Sequence, residues 1–146
     1  VEEFAKPDYG VDVFKLESPV NAADADGSAT VQAVFDEMGR LAGRPWVMLS
    51  AGAGKPEFRA VLEHAFAAGA SGFLAGRAIW LDAFNAYPDW DVIRSGLEGD
   101  AAKYMADICA LADKSALNWA EHSCYGDEGA GFQPASADFR HIYEGF

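Results

Sequence analysis

Short apolar segments alternate with longer amphipathic segments along most of this chain. Three segments have the length and composition of β-strands: residues 11–17 (VDVFKLE), 45–50 (PWVMLS) and 72–76 (GFLAG). Four others carry apolar residues at helical spacing: residues 29–43, 56–69, 78–86 and about 98–121. Gly43 predicts the end of the first helix, and Pro56 suits the first turn of the second. The repeated order strand–helix predicts an α/β fold with parallel strands covered by helices.

This order also predicts the larger architecture to which the segments belong. A barrel of eight alternating strands and helices, the (β/α)8 or TIM barrel, needs about 250 residues. This chain of 146 residues holds three strand–helix units, and residues 1–9 read as the end of a preceding helix and a turn. We therefore expect the C-terminal part of a TIM barrel, its last three strand–helix units. The two unpaired edges of such a sheet predict a homo-oligomer or pairing with a missing N-terminal half.

The end of the chain differs in composition from the rest. We predict a barrel domain over residues 1–121 and a glycine-rich tail over residues 122–146, which contains the aromatic residues Phe132, Phe139, Tyr143 and Phe146. Such a tail can serve as an arm between subunits or as a lid over a site. The alternative is that its aromatic side chains pack against the domain's own surface.

Composition and charge exclude several classes of partner. Hydrophobic residues make up 51% of the chain and charged residues 23%, which is typical of a globular protein. The net charge of −12 argues against a nucleic-acid partner, which requires a basic surface. It still permits an anionic small substrate if positive groups are concentrated in one cleft. No apolar run approaches the roughly 20 residues of a membrane span, so we expect no membrane partner.

Cysteine and histidine positions bear on compartment and metal binding. Cys109 and Cys124 lack the spacing of a disulfide framework, which favours a reducing, cytoplasmic location over a single disulfide. His64, His122 and His141 are scattered along the chain. We therefore predict no metal site.

Lys15, in the middle of the first predicted strand, is the strongest candidate for chemistry. Side chains alternate along a strand, so Lys15 and Glu17 share one face while Phe14 and Leu16 share the other. If Phe14 and Leu16 pack against helices, Lys15 and Glu17 point into the barrel. We expect this strand to be buried on both faces, which disfavours an ammonium group, and a neutral amine is a nucleophile towards carbonyl carbons. The alternative is a lysine paired with Glu17 or with an acid on a neighbouring strand.

Glu17 lies one pleat closer than Lys15 to the mouth of the predicted barrel. There its carboxylate can influence the protonation of the lysine, bind a substrate hydroxyl or shuttle a proton. The alternative is that it only neutralises Lys15.

The other two strand ends suggest a phosphate site. The turn Ser50-Ala51-Gly52-Ala53-Gly54 precedes a helix and presents backbone N–H groups with little side-chain obstruction. The Gly76-Arg77 pair adds a permanent cation at the end of the next strand, suited to a phosphate. In parallel barrels, chemistry takes place at the carboxyl ends of the strands, and the last two often hold a phosphate. The candidate phosphate-binding residues are Ser50, Ala51, Gly52, Gly76 and Arg77.

Taken together, these motifs resemble those of a known enzyme family. The segments GVDVFKLESPV, WVMLSAG, GASGFLAGRAIW and LADKSALNW follow the order and spacing seen in class I, Schiff-base aldolases similar to tagatose-1,6-bisphosphate aldolase. Aldolases that cleave 6-deoxy-6-sulfofructose 1-phosphate share these motifs. The resemblance covers about residues 1–120 and implies that they correspond to the last three barrel strands.

The resemblance also implies roles for individual residues. Lys15 corresponds to the Schiff-base lysine of the sixth strand, Ser50 to Gly52 to the phosphate turn of the seventh, and Gly76-Arg77 to its partner on the eighth. No residue here matches the family's fifth-strand glutamate, which assists proton transfer.

These observations predict a class I aldolase that acts on a phosphorylated sugar. It would cleave a ketose 1-phosphate or 1,6-bisphosphate to dihydroxyacetone phosphate and an aldehyde through a Schiff base at Lys15, with no cofactor. Two alternatives are a phosphosugar isomerase in which Lys15 contributes only charge, and a non-catalytic half-barrel that binds sugar phosphates or mediates assembly.

Overall fold

A computed structural model describes residues 1–131 of the chain. In this part, helices cover a parallel sheet of three strands, as the sequence pattern predicts. The strands, in the order β1-β2-β3, are β1 (Phe14–Leu16), β2 (Trp46–Leu49) and β3 (Gly72–Leu74). The α-helices are α1 (Ala29–Ala42), α2 (Lys55–Ala67), α3 (Arg77–Phe84), α4 (Trp90–Gly96) and α5 (Ala102–Ser115). Each connection between consecutive strands returns the chain to the end of the sheet at which the previous strand began, so the strands are parallel.

The hydrophobic core lies on one face of this sheet. Phe14, Trp46 and Met48 point to that face and are buried there. Helices α1 and α2 supply the opposing side chains: Phe35, Met38, Phe58, Val61 and Leu62. The predicted alternation in β1 is confirmed, because Phe14 is buried whereas the next residue, Lys15, is exposed.

The opposite face of the sheet is open to solvent along its outer strands. Val13 and Leu74 are 50% and 47% exposed, and Lys15, which pairs in register with Val47 of β2, is exposed as well. The expectation that β1 is buried on both faces is therefore wrong for residues 1–131.

The ends of the first two helices follow the sequence signals. The Ser28 hydroxyl accepts a hydrogen bond from the backbone N–H of Val31 at 3.3 Å and caps the start of α1. Gly43 ends α1 with φ of 58°, a left-handed conformation that glycine adopts without steric cost. Pro56 lies in the first turn of α2, as predicted.

The long helix predicted over residues 98–121 is wrong at both ends. The helical segment begins at Trp90, because the Asp89 carboxylate accepts a hydrogen bond from the N–H of Val92 at 3.1 Å. A π-helical turn over Leu97–Ala101 joins α4 to α5. The segment ends at Ser115, and the next residue is extended.

The chain beyond α5 returns to the body of the domain. The backbone N–H of Leu117 donates to the carbonyl of Ala70, next to the start of β3, at 3.0 Å. Of the predicted tail, residues 122–131 are described and include a 3-10 turn over Ser123–Tyr125. The tail aromatics Phe132, Phe139, Tyr143 and Phe146 lie outside the described residues. Within the described range, no helix combines the length and the apolar character needed to cross a membrane.

Candidate functional site

An open concavity of about 670 Å³ lies at the carboxyl ends of the three strands. Every residue that the sequence assigns to the site lines it: Lys15, Glu17, Ser50, Ala51, Gly52, Gly76 and Arg77. This convergence follows from the topology, because adjacent parallel strands present their carboxyl ends at the same edge of the sheet. The structure thus brings an amine, a carboxylate, a tight turn and a guanidinium into one place.

The amine of Lys15 in β1 and the carboxylate of Glu17, the residue after this strand, are both exposed on the open face of the sheet. Lys15 and Glu17 point the same way along the strand. Within residues 1–131 neither side chain forms an ion pair, so the arrangement in which Glu17 merely neutralises Lys15 is not observed. Both groups are accessible to a ligand.

The turn after β2 has an unusual backbone. The N–H of Ser50 donates to the carbonyl of Leu74 at 3.2 Å, which ties the turn to β3. Ala51 and Gly52 then adopt positive φ values of 47° and 86°. The N–H of Ala53 closes the turn on the Ser50 carbonyl at 2.8 Å. A left-handed conformation costs an L-residue about 1–2 kcal/mol, so Ala51 is strained.

The same turn presents hydrogen-bond donors without partners. Among the described residues, the backbone N–H groups of Ala51 and Gly52 donate to no acceptor, and the Ser50 hydroxyl has no hydrogen-bond partner. Ser50 is only 8% exposed. Successive free N–H groups in a tight turn form a concavity that suits an anion.

Arg77 brings positive charge to this turn from the neighbouring strand end. Gly76 is the N-cap of α3, and Arg77 is its first residue. The Arg77 Nη2 atom lies 3.6 Å from the point that a Cβ would occupy at Gly52. No described carboxylate lies within 4 Å of the guanidinium. We call Ser50, Ala51, Gly52, Gly76 and Arg77 the anion cradle.

Lys55, the first residue of α2, is held by side chains of two other helices. Its Nζ lies 3.0 Å from Oδ2 of Asp82 and 5.8 Å from the ring centre of Tyr104, and its side chain is 23% exposed. Burial raises the pKa of Tyr104 to about 12. Lys55 is therefore fixed between α3 and α5, beside the anion cradle.

Sequence reasoning missed Trp80 as a site residue. Trp80, Phe84, Tyr87 and Trp90 are exposed and pack as two ring pairs, Trp80 with Phe84 and Tyr87 with Trp90. Trp80 lines the concavity, and its indole Nε1 lies 3.6 Å from the Cβ position of Gly76. The spacing of three residues between Arg77 and Trp80 places both on one helical face, which is the signal that could have found it.

A second, smaller recess adjoins the concavity. It has a volume of about 320 Å³ and lies between the loop after β1 and the turn after β2. Glu17 and Ser50 line both spaces, while Ser18 and Asn21 line only the recess. Glu17 thus stands at the boundary between them.

The described residues contain no group of three or more His, Cys, Asp or Glu side chains arranged to hold a metal ion. Cys109 and Cys124 are both free thiols.

Comparison with known proteins gives one family and a set of relatives. The family model described as DeoC/LacD family aldolase matches residues 2–82, which contain every residue that lines the concavity. A tagatose 1,6-diphosphate aldolase of Listeria monocytogenes serotype 4a (strain HCC23) is 33% identical over 132 residues, covering 82% of this chain and 39% of that protein. A protein of the same name from Staphylococcus aureus (strain JH9) is 31% identical over 129 residues, covering 80% and 40%. The chain therefore spans about two fifths of the length of these curated relatives.

Proposed function

The chain belongs to the DeoC/LacD family of aldolases, and we propose that it carries the Schiff-base lysine and the phosphate site of a class I aldolase. The names of its relatives support a substrate of the tagatose 1,6-bisphosphate type, a ketose 1-phosphate or 1,6-bisphosphate. The products are then dihydroxyacetone phosphate and an aldehyde. One observation carries the proposal: Lys15, Glu17 and the anion cradle line a single concavity.

Lys15 is the nucleophile of this reaction. Its neutral amine attacks the C2 carbonyl of the ketose, and loss of water leaves a protonated Schiff base. As the C4 hydroxyl loses its proton, the C3–C4 bond breaks. Its electron pair moves towards the iminium nitrogen and forms an enamine. Protonation of the enamine at C3 and hydrolysis release dihydroxyacetone phosphate and regenerate the amine.

Glu17 and the anion cradle position the substrate around this amine. The cradle receives the C1 phosphate through the N–H groups of Ala51 and Gly52, the Ser50 hydroxyl and the Arg77 guanidinium. Glu17 is a carboxylate of the same concavity and is placed to bind a substrate hydroxyl or to shuttle a proton.

A second candidate function is sugar-phosphate binding without turnover. It is favoured by the exposure of Lys15 to solvent in the described part of the chain. In that case the cradle binds phosphate, while the amine lacks the enclosed surroundings that activate it.

Borohydride trapping tests the covalent step. The full-length protein is incubated with dihydroxyacetone phosphate and sodium borohydride, which reduces the Schiff base to a stable secondary amine. We expect the added mass on the peptide that contains Lys15, and its loss in Lys15→Arg. Lys103→Arg, an exposed lysine of α5, serves as the matched control and should trap normally. A folded protein that acquires no adduct, or an adduct only elsewhere, contradicts the Schiff-base proposal.

The same reaction tests the cradle. Arg77→Met should raise the half-saturating concentration of dihydroxyacetone phosphate about tenfold or more, because a charge-assisted hydrogen bond contributes roughly 1.5–3 kcal/mol. It should leave trapping of unphosphorylated dihydroxyacetone unchanged. Equal effects on both ketones would show that Arg77 does not bind the phosphate.

Lys15→Arg also tests the isomerase alternative, in which Lys15 contributes only charge. Retention of turnover by this variant would support that alternative.

A further inference from the structure

Two helices that begin at the anion cradle are joined by an ion pair just behind it. Lys55 is the first residue of α2, three residues after Gly52. Asp82 lies in α3, five residues after Arg77. The Lys55 Nζ and the Asp82 Oδ2 atoms are 3.0 Å apart. The pair therefore links the turn side of the cradle to the guanidinium side.

A third residue fixes the lysine from behind. The Tyr104 hydroxyl of α5 donates to the backbone carbonyl of Lys55 at 2.8 Å. The Lys55 amine also lies 5.8 Å from the centre of the Tyr104 ring, within range of a cation–π interaction. A phenol is protonated at neutral pH, and burial raises the pKa of Tyr104 further, so its hydroxyl is a donor. Both ends of Lys55 are thus held, the backbone by a hydrogen bond and the amine by a carboxylate and an aromatic ring.

The space between the two sides of the cradle depends on this contact. A cleft of about 80 Å³ separates them, lined on one side by residues 52–55 and on the other by Arg77, Ala78, Leu81 and Asp82. Arg77 is exposed and has no ion-pairing partner among residues 1–131. No side-chain partner holds it near the turn, so the distance between the Arg77 backbone and the turn depends on the relative position of α2 and α3.

We propose that Lys55, Asp82 and Tyr104 form a brace that sets the spacing of the anion cradle and so determines its affinity for phosphate. The inference rests on the proposed phosphate site. These three residues are positioning residues: they act on the phosphate through Arg77 and the turn.

Asp82→Asn separates this role from simple electrostatics. If Asp82 acted only through its charge, its removal would favour an anion, and the freed Lys55 could itself reach the phosphate; binding would tighten. If the brace sets the spacing, the same change should weaken binding of inorganic phosphate, measured by calorimetry, by about threefold. Tighter or unchanged binding overturns the proposal.

Conservative and control variants complete the experiment. Asp82→Glu and Lys55→Arg keep an ion pair and should restore most of the affinity that Asp82→Asn and Lys55→Met remove. The Lys103–Asp107 pair on the exposed surface of α5, with its atoms 2.7 Å apart, is the matched control. The double variant Lys103→Met/Asp107→Asn should bind phosphate as the wild type does. An equal loss in this control would point to a general effect of charge or stability and would overturn the brace.

Trapping kinetics distinguish positioning from loss of fold. Asp82→Asn should raise the half-saturating concentration of dihydroxyacetone phosphate while leaving the limiting trapping rate and the reaction of unphosphorylated dihydroxyacetone unchanged. If the limiting trapping rate and the reaction of unphosphorylated dihydroxyacetone also fall, Asp82 has a structural role only, which contradicts the proposal. If Arg77→Met leaves phosphate binding intact, the proposed phosphate site itself fails. If Arg77→Met weakens binding and Asp82→Asn does not, only the brace fails.

Discussion

At the scale of single residues, Ala51 belongs to the anion cradle and has a strained backbone conformation. Its φ of 47° costs an L-residue about 1–2 kcal/mol, whereas glycine adopts this conformation freely but loses about 0.5–1 kcal/mol through chain entropy. Ala51→Gly should therefore raise the free energy of unfolding by roughly 0.5–1 kcal/mol. Urea denaturation monitored by circular dichroism measures this difference.

Ala53 provides the matched control for this prediction. It lies in the same turn, but its φ is not positive. Ala53→Gly should lower the free energy of unfolding by about 0.5–1 kcal/mol or more, because the entropic cost is joined by the loss of a methyl group that packs against the core. A decrease of the same size in both variants would mean that Ala51 carries no strain.

The placement of side chains could be predicted where it depends on local rules. Alternation along β1 and the shared edge of parallel strands bring Lys15, Glu17 and Arg77 into one concavity, and both rules act within a strand or between neighbours. The positions of Trp80 and Lys55 could not be predicted in this way. Their surroundings depend on how α3 lies against α2 and α5, and no spacing within one segment specifies that.

At the scale of elements, two glycines in the helical stretch from α4 to α5 should respond differently to alanine. A Cβ at Gly96 would lie 3.0 Å from the Cβ of Ala83 in α3, whereas a Cβ at Gly99 would meet nothing within 4 Å. Gly99→Ala should raise the free energy of unfolding by about 0.5–1 kcal/mol through helix propensity. Gly96→Ala gains the same propensity but forces α3 and α4 apart, at a cost of about 1–3 kcal/mol.

The two variants control for each other, since both replace a glycine in the same helical stretch. Thermal unfolding should place Gly96→Ala below Gly99→Ala by several degrees. Equal stabilisation of both variants would indicate that α3 yields to the added methyl group without cost.

These same glycines explain why the helix prediction was wrong over residues 98–121. Gly96 and Gly99 lower helix propensity and interrupt the apolar spacing, so the pattern does not reveal the start at Trp90. The cap is visible only in retrospect, because Asp89 marks a helix start only if a helix follows. By contrast, α1 and α2 have regular spacing and clear end signals, and both were predicted to within two residues.

At the scale of the whole molecule, the order of strands and helices was enough to predict a parallel sheet, and the sheet β1-β2-β3 confirms it. What covers the open face of this sheet was not predictable, because patterning reveals which side chains need burial but not which chain buries them. The sequence predicts a homo-oligomer or a missing N-terminal half as the partner. The exposed residues on this face make the first option testable with the 146-residue chain alone.

The 146-residue chain should self-associate through the open face of its sheet. Val13 and Leu74 are 50% and 47% exposed there, at the ends of strands whose outer edges are unpaired within residues 1–131. Val13→Lys/Leu74→Lys should raise the dissociation constant of the oligomer about tenfold. Association of this variant buries less apolar area and must remove water from two ammonium groups. Sedimentation velocity over a range of concentrations measures this dissociation constant, with circular dichroism to verify the helix content.

Val34→Lys, at an exposed valine of α1, is the control and should leave association unchanged. A chain that stays monomeric at every concentration rules out the sheet face as the contact. An equal rise of the dissociation constant in Val13→Lys/Leu74→Lys and in Val34→Lys rules it out as well.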